Sequence, residues 1–205
     1  AAEISRKDLG VIVHNNILLE AIFDELEKIS EIKVIQEDSL MDIEQDQNEI
    51  KIFTHSGLNI SSELLIGADG SLSKVRDLSK IPIRTWSYQQ QAIVTSVVTE
   101  KPLNKTAYQI FTDTGPIALL PLAQGSNKAS LIWSTDEEYG QKILKLERNL
   151  LMRELKLKTE DRFGEISCNE DINYFPLHQL HAKKFYKGRS ILVGDSAHTI
   201  HPLAG

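Results

Sequence analysis

The apolar positions of this chain change period several times, and each change outlines an element. Short runs rich in β-branched residues occur at residues 9–13, 64–66 and 189–193, and such runs bounded by turn residues read as strands. The last is predicted to be a buried strand in a sheet covered on both faces. Between them, Ile17, Leu18, Ala21, Ile22, Leu26 and Ile29 recur at helical spacing, with Asn15 or Asn16 opening the helix. Residues 33–66 alternate short strands and turns: residues 41–43 and 50–53 are predicted to pair across Asp46-Gln47-Asn48, and Gly57 turns the chain into a third strand, a small β-meander. Residues 83–99, 106–111, 115–122 and 128–134 predict one antiparallel sheet. A single helix follows over residues 136–157, with Ile143, Leu144, Leu146, Leu150, Leu151 and Leu155 on one face, and then a strand over residues 165–175.

Two of the strands end alike. One runs into Gly194-Asp195, the other into Gly67-Ala68-Asp69-Gly70 and a predicted helix with Ser71 as its N-cap. Glycine admits close approach to the backbone, and an acid at the C-terminal end of such a strand points into the crevice where open α/β sheets hold nucleotides. A carboxylate there accepts hydrogen bonds from sugar or ribitol hydroxyls.

Composition narrows the class. The 205 residues are 41% hydrophobic, enough for a core, and carry a formal net charge of -6 with lysines scattered among acids, which argues against nucleic acid as a partner. Cys168 is the single cysteine, so no disulfide framework forms within the chain, in keeping with a reducing, cytoplasmic setting.

The two Gly/Asp stretches together resemble two of the three flavin motifs of the single-component aromatic hydroxylases, the para-hydroxybenzoate hydroxylase-like family. His201-Pro202-Leu203-Ala204-Gly205, residues 115–122 and residues 130–133 narrow the resemblance to the branch that hydroxylates the ring of ubiquinone precursors. It implies an α+β fold: part of an FAD-binding, Rossmann-like α/β domain with its β-meander over residues 1–78, an antiparallel-sheet substrate domain over 79–187, and the start of a C-terminal FAD motif over 188–205.

The resemblance also assigns roles. Asp195 and Gly194 hold the ribityl chain. Asp69 and Gly70 belong to the motif used for both FAD and NAD(P)H. Asn15 reaches the flavin side, and Pro202 and Gly205 lie along the ring. Pro121, Leu119 and Leu203 line the substrate pocket. The implied reaction is monooxygenation of a polyprenylated phenol with FAD, NAD(P)H and O2, carried by the cofactor with no catalytic side chain of the protein's own. Such a substrate implies peripheral contact with the inner membrane or a complex with other enzymes of ubiquinone biosynthesis. The family's Gly-x-Gly-x-x-Gly turn for the pyrophosphate is not in this sequence. The resemblance therefore implies an internal piece that binds FAD weakly or not at all by itself.

The residues leave other readings open. Arg76 neutralises a pyrophosphate or pairs on a helix surface. Asn15 serves equally as a helix cap, and Asp69-Gly70 as a structural turn. Trp86, Tyr88 and Tyr108 are pocket candidates whose commoner fate is core packing. His178 with His181, and His198 with His201, have spacing compatible with a metal, but no acidic or cysteine cluster completes either pair, and no metal is expected. A Ser196, His198, Asp195 triad is geometrically poor among near neighbours. On the same scaffold, a different phenol hydroxylase, a halogenase, a prenyl reductase or a non-catalytic assembly subunit are the rival functions.

Overall fold

The structure is a computed structural model that describes residues 10–122 and 127–200. The chain divides into two compact units, one formed by residues 1–32 and 89–176, the other by residues 33–88 and 177–205.

In the first unit the chain opens with helix α1 (Asn15–Leu26). Residues 10–13 do not form the expected strand. A strand needs a neighbour for its backbone groups, and no described strand pairs with this one. His14, not Asn15, occupies the N-cap position, without a side-chain hydrogen bond. None of the α1 side chains is buried.

The second unit begins with the expected meander: β1 (Leu40–Gln45), β2 (Ile50–Thr54) and β3 (Asn59–Ser62), antiparallel in that order. The Asp46 carboxylate shapes the first turn by accepting from the Asn48 and Glu49 N–H groups at 2.7 and 3.0 Å. Asp38 accepts from the Ser56 hydroxyl at 2.6 Å, a bond that holds its carboxyl well below the usual carboxylate range. Next come β4 (Leu65–Gly67) and helix α2 (Lys74–Leu78). The helix starts later than expected, with Ser73 rather than Ser71 as its cap.

The long strand β5 (Ile83–Thr99) begins in the second unit and ends in the first. Its later part pairs with β8 (Lys128–Asp136), which pairs with β7 (Gly115–Pro121), and that with β6 (Tyr108–Thr112), all antiparallel. Helices α3 (Glu137–Leu144) and α4 (Arg148–Lys158) follow. Ile93, Ile117, Leu119, Leu131 and Trp133 of the sheet are buried in one core with Ile143, Leu151, Met152 and Leu155 of the helices. The sequence predicts one helix here and the structure has two, separated at residues 145–147. The break lets both pieces put apolar residues on the sheet.

The expected strand over residues 165–175 is likewise two. Strand β9 (Ile166–Ser167) pairs with the end of β5, and β10 (Asn173–Ala182) starts after residues 168–172. Cys168 is buried in that gap, its Sγ 3.2 Å from the Thr95 hydroxyl. β10 crosses from the first unit into the second. The compact units thus change inside β5 and β10.

The second unit closes with β11 (Tyr186–Lys187), β12 (Ser190–Leu192) and β13 (His198–Thr199). β12 runs parallel to β4 with Ser190, Ile191 and Leu192 opposite Leu65, Ile66 and Gly67, and β11 flanks it antiparallel. One face packs a small core of Val75, Ile81, Ala182, Leu192 and Ala197. On the other face Ile66 is 57% exposed, so among the described residues the expected cover is seen on one face only. Gly67 shows how closely α2 sits: a Cβ placed there would lie 2.8 Å from the Cβ of Val75.

Candidate cofactor-binding loops

Because β4 and β12 are parallel neighbours, both Gly/Asp stretches leave the sheet on the same side. The sequence places them more than a hundred residues apart; pairing brings them together. The Val193 N–H donates to the Gly67 carbonyl at 3.0 Å. The fully buried Ser196 hydroxyl lies 2.6 Å from that same carbonyl and 2.7 Å from the Val193 carbonyl, and accepts the Val193 N–H at 3.1 Å. One hydroxyl proton is shared between the two carbonyls. Ser196 therefore ties the ends of both strands and is no candidate nucleophile.

The two aspartates, alike in sequence, differ in what they hold. Asp69 accepts from the Ser73 hydroxyl at 2.5 Å and from the Val75 N–H at 3.1 Å. Both its oxygens are engaged at the start of α2, satisfying a donor that the helix leaves orphaned. Ser73 in turn accepts the Arg76 N–H at 3.0 Å. Asp195 is exposed in the 3-10 turn Gly194–Ser196, and its carboxylate accepts no hydrogen bond from the described residues. Gly194 and Gly70 have φ of +61° and +80°, and a Cβ on either would meet nothing within 4 Å. Glycine is thus suited to the left-handed backbone at both turns, and the space in front of each is open.

Arg76 is buried rather than set on a helix surface. It is 4% exposed, and its guanidinium Nη1 donates to the Ser196 carbonyl at 3.2 Å, while Nε lies 3.5 Å from the Asp77 carboxylate. It links α2 to the turn that carries Asp195. The path from Gly67 through Asp69, Ser73, Arg76 and Ser196 back to Gly67 is a closed ring of hydrogen bonds and chain. Arg76→Met keeps much of the volume and removes the donor, leaving a buried carbonyl without this partner. A destabilisation of about 1–3 kcal/mol is expected, read as a lowered urea midpoint. An unchanged midpoint would show that the ring does not hold the turn.

The other candidates lie elsewhere. Asn15 is exposed at the first position of α1, in the first unit. Leu119 has no exposed surface and sits in the helix-covered core, so it is a core residue and not the pocket wall expected of it. Strand alternation puts its neighbours Ala118 and Leu120 on the opposite face, where both are half-buried. Pro121 is half-buried. Pro202, Leu203 and Gly205 lie outside the described residues. Trp86 is 44% exposed; the Tyr88 hydroxyl donates to Gln179 Oε1 at 2.6 Å; Tyr108 packs edge-on to Phe163 at 5.1 Å. His181 meets not His178 but His198, directly opposite it across β10 and β13.

Sequence reasoning missed the structural parts of Ser196 and Arg76. Nothing in the sequence marks either as buried, and a buried arginine is uncommon.

The family model described as FAD binding domain matches residues 12–205. The chain is 33% identical to 3-demethoxyubiquinol 3-hydroxylase of Escherichia coli (strain K12), covering 100% of this chain and 52% of that protein. It spans about half the length of the curated relatives it matches. Among solved structures, its fold is similar to that of p-nitrophenol 4-monooxygenase PnpA from Pseudomonas putida DLL-E4, with a TM-score of 0.76, 19% identity and coverage of 94% of this chain and 49% of that one. It is also similar to CmlS, a flavin-dependent halogenase, with a TM-score of 0.79, 17% identity and coverage of 93% and 36%.

Proposed function

Because the chain belongs to the FAD binding domain family, we propose that it is part of an FAD-dependent monooxygenase that hydroxylates an aromatic ring. The observation that carries this reading is the uncommitted Asp195 carboxylate, exposed beside the open backbone of Gly194 at the end of a parallel strand. An acceptor with no hydrogen bond from the described residues, next to a turn that a ligand can approach, fits the hydroxyl-rich chain of FAD.

Bound and reduced by NAD(P)H, FAD supplies the activation of O2. The protein's own residues bind and orient. Asp195 accepts hydrogen bonds from cofactor hydroxyls, and Gly194 admits the cofactor to the backbone. Ser196 and Arg76 keep that turn in register with the loop at Asp69 and Gly70. Asn15, Pro202 and Gly205 complete the cofactor contacts in this reading, while Pro121 and Leu203 face the substrate.

The finer reading is that the substrate is a polyprenylated phenol of ubiquinone biosynthesis, supported by the Escherichia coli relative, which bears the name of a ubiquinol-precursor hydroxylase. In this reading the protein is cytoplasmic, peripheral at the inner membrane, and works beside other enzymes of that synthesis. Deletion of the gene is expected to accumulate a prenylated phenol one ring oxygen short of the quinone, detected by mass analysis. Complementation with Asp195→Ala separates the classes: an enzyme fails to restore quinone, whereas an assembly subunit restores it. An unchanged quinone pool in the deletion strain would overturn the substrate assignment. The likeness to CmlS raises halogenation, which a chloride-dependent change in product mass would reveal.

A further inference from the structure

The chain carries a formal charge of -6, yet residues 172–194 contain no Asp or Glu at all. That stretch holds Lys183, Lys184, Lys187 and Arg189, and with them Tyr174, Phe175, Phe185 and Tyr186. The densest part, residues 183–187, forms the turn into β11 and is exposed throughout. Phe185 keeps 44% and Tyr186 66% of its surface in solvent.

Another segment of the same unit adds to this surface. The Lys183 N–H donates to the Pro82 carbonyl at 2.8 Å, and Lys187 Nζ to the Lys80 carbonyl at 3.1 Å. Lys80 itself is exposed. The nearest acid in sequence to Lys80, Asp77, lies 3.5 Å from Arg76 Nε. The Phe185 ring is held in place, stacked 6.1 Å from His198 and tilted 5.5 Å from His181.

We propose that Lys80, Lys183, Lys184, Phe185, Tyr186 and Lys187 form a docking surface for an anionic lipid bilayer. Ammonium groups beside exposed aromatic rings match the two layers of a membrane interface: anionic headgroups attract the lysines, and the rings settle at headgroup depth. Of the acids nearby, Asp46 faces Lys51 and Arg189, and Asp77 lies against Arg76. At physiological salt, exposed charges separated by more than about 8 Å are largely screened, so the local patch decides. A nucleic-acid duplex, its bases already stacked on one another, would use the lysines but leave the Phe185 and Tyr186 rings without the apolar medium that favours their burial. The proposal rests on the peripheral inner-membrane placement proposed above and not on the flavin chemistry, so its failure would overturn that placement and leave the FAD reading standing.

The test is co-sedimentation of the purified protein with vesicles of phosphatidylcholine, alone or mixed with phosphatidylglycerol. Binding is expected to the mixed vesicles only and to fall as salt rises. Each basic residue near an anionic leaflet strengthens binding about fivefold, so Lys183→Gln combined with Lys184→Gln should weaken it about 25-fold. Tyr186→Ser should weaken it as well, with circular dichroism melting unchanged in both variants. Absence of binding to mixed vesicles, equal binding to neutral ones, or an unaltered affinity in the double variant overturns the proposal. So does a short DNA duplex that binds as tightly and is indifferent to Tyr186→Ser, because the surface would then take a polyanion and not a bilayer.

Discussion

Asp195→Ala is expected to weaken FAD binding about ten- to hundredfold, the loss of charge-assisted hydrogen bonds typically worth about 1.5–3 kcal/mol. The folded protein should scarcely register the change. Asp195 is exposed and its carboxylate serves no described residue, and surface substitutions of that kind usually alter stability by less than about 0.5 kcal/mol. Titration of the FAD-binding protein by flavin fluorescence gives the affinity, and urea denaturation of the apoprotein gives the stability. Asp195→Asn should fall between, because the amide oxygen still accepts but without the charge. The contrasting variant is Asp69→Ala. Its two bonds to Ser73 and Val75 make it a helix cap, so it should lose about 0.5–2 kcal/mol of stability. If FAD affinity is unchanged in Asp195→Ala, the assignment of this turn to the cofactor is wrong.

That contrast also marks how far the sequence could be read. The strands at residues 64–66 and 190–192 are legible because apolar, β-branched residues run into glycine and then an acid. Their alignment as parallel neighbours follows from pairing across the whole chain and has no local signature. Likewise Asp69 and Asp195 look equivalent in sequence. What separates them lies downstream: Asp69 precedes a helix whose first N–H groups need acceptors, and Asp195 precedes a short turn and strand that make no such demand. Leu119 was misread for another reason. Residues 115–122 are apolar on both faces, so alternation alone does not say which side the helices cover. Only the register, with Leu119 opposite Leu131 and Ile117 opposite Trp133, decides it. The meander and the antiparallel sheet were readable from turn residues and period, whereas the break at residues 145–147 has no Gly or Pro to mark it.

Trp133→Ala is expected to cost about 3–5 kcal/mol, a large part of the roughly 5–15 kcal/mol that holds a typical domain. Trp133 is the largest fully buried side chain, at 0% exposure. It stands opposite Ile93 on one side and Ile117 on the other, with the Tyr139 ring 6.1 Å away. Truncation would leave a cavity between sheet and helices that backbone pairing on both flanks prevents from closing. Trp133→Phe should cost much less. It retains most of the apolar contact and removes an indole N–H that has no hydrogen-bond partner among the described residues, relieving a buried polar group of the kind that is costly to leave unpaired. Urea denaturation followed by circular dichroism measures both variants without relying on tryptophan emission, which in Trp133→Ala would come from the half-exposed Trp86. Equal losses in the two variants would mean that the indole nitrogen is satisfied in solution. A loss below about 1 kcal/mol for Trp133→Ala would mean that this sheet and its helices do not share the core described.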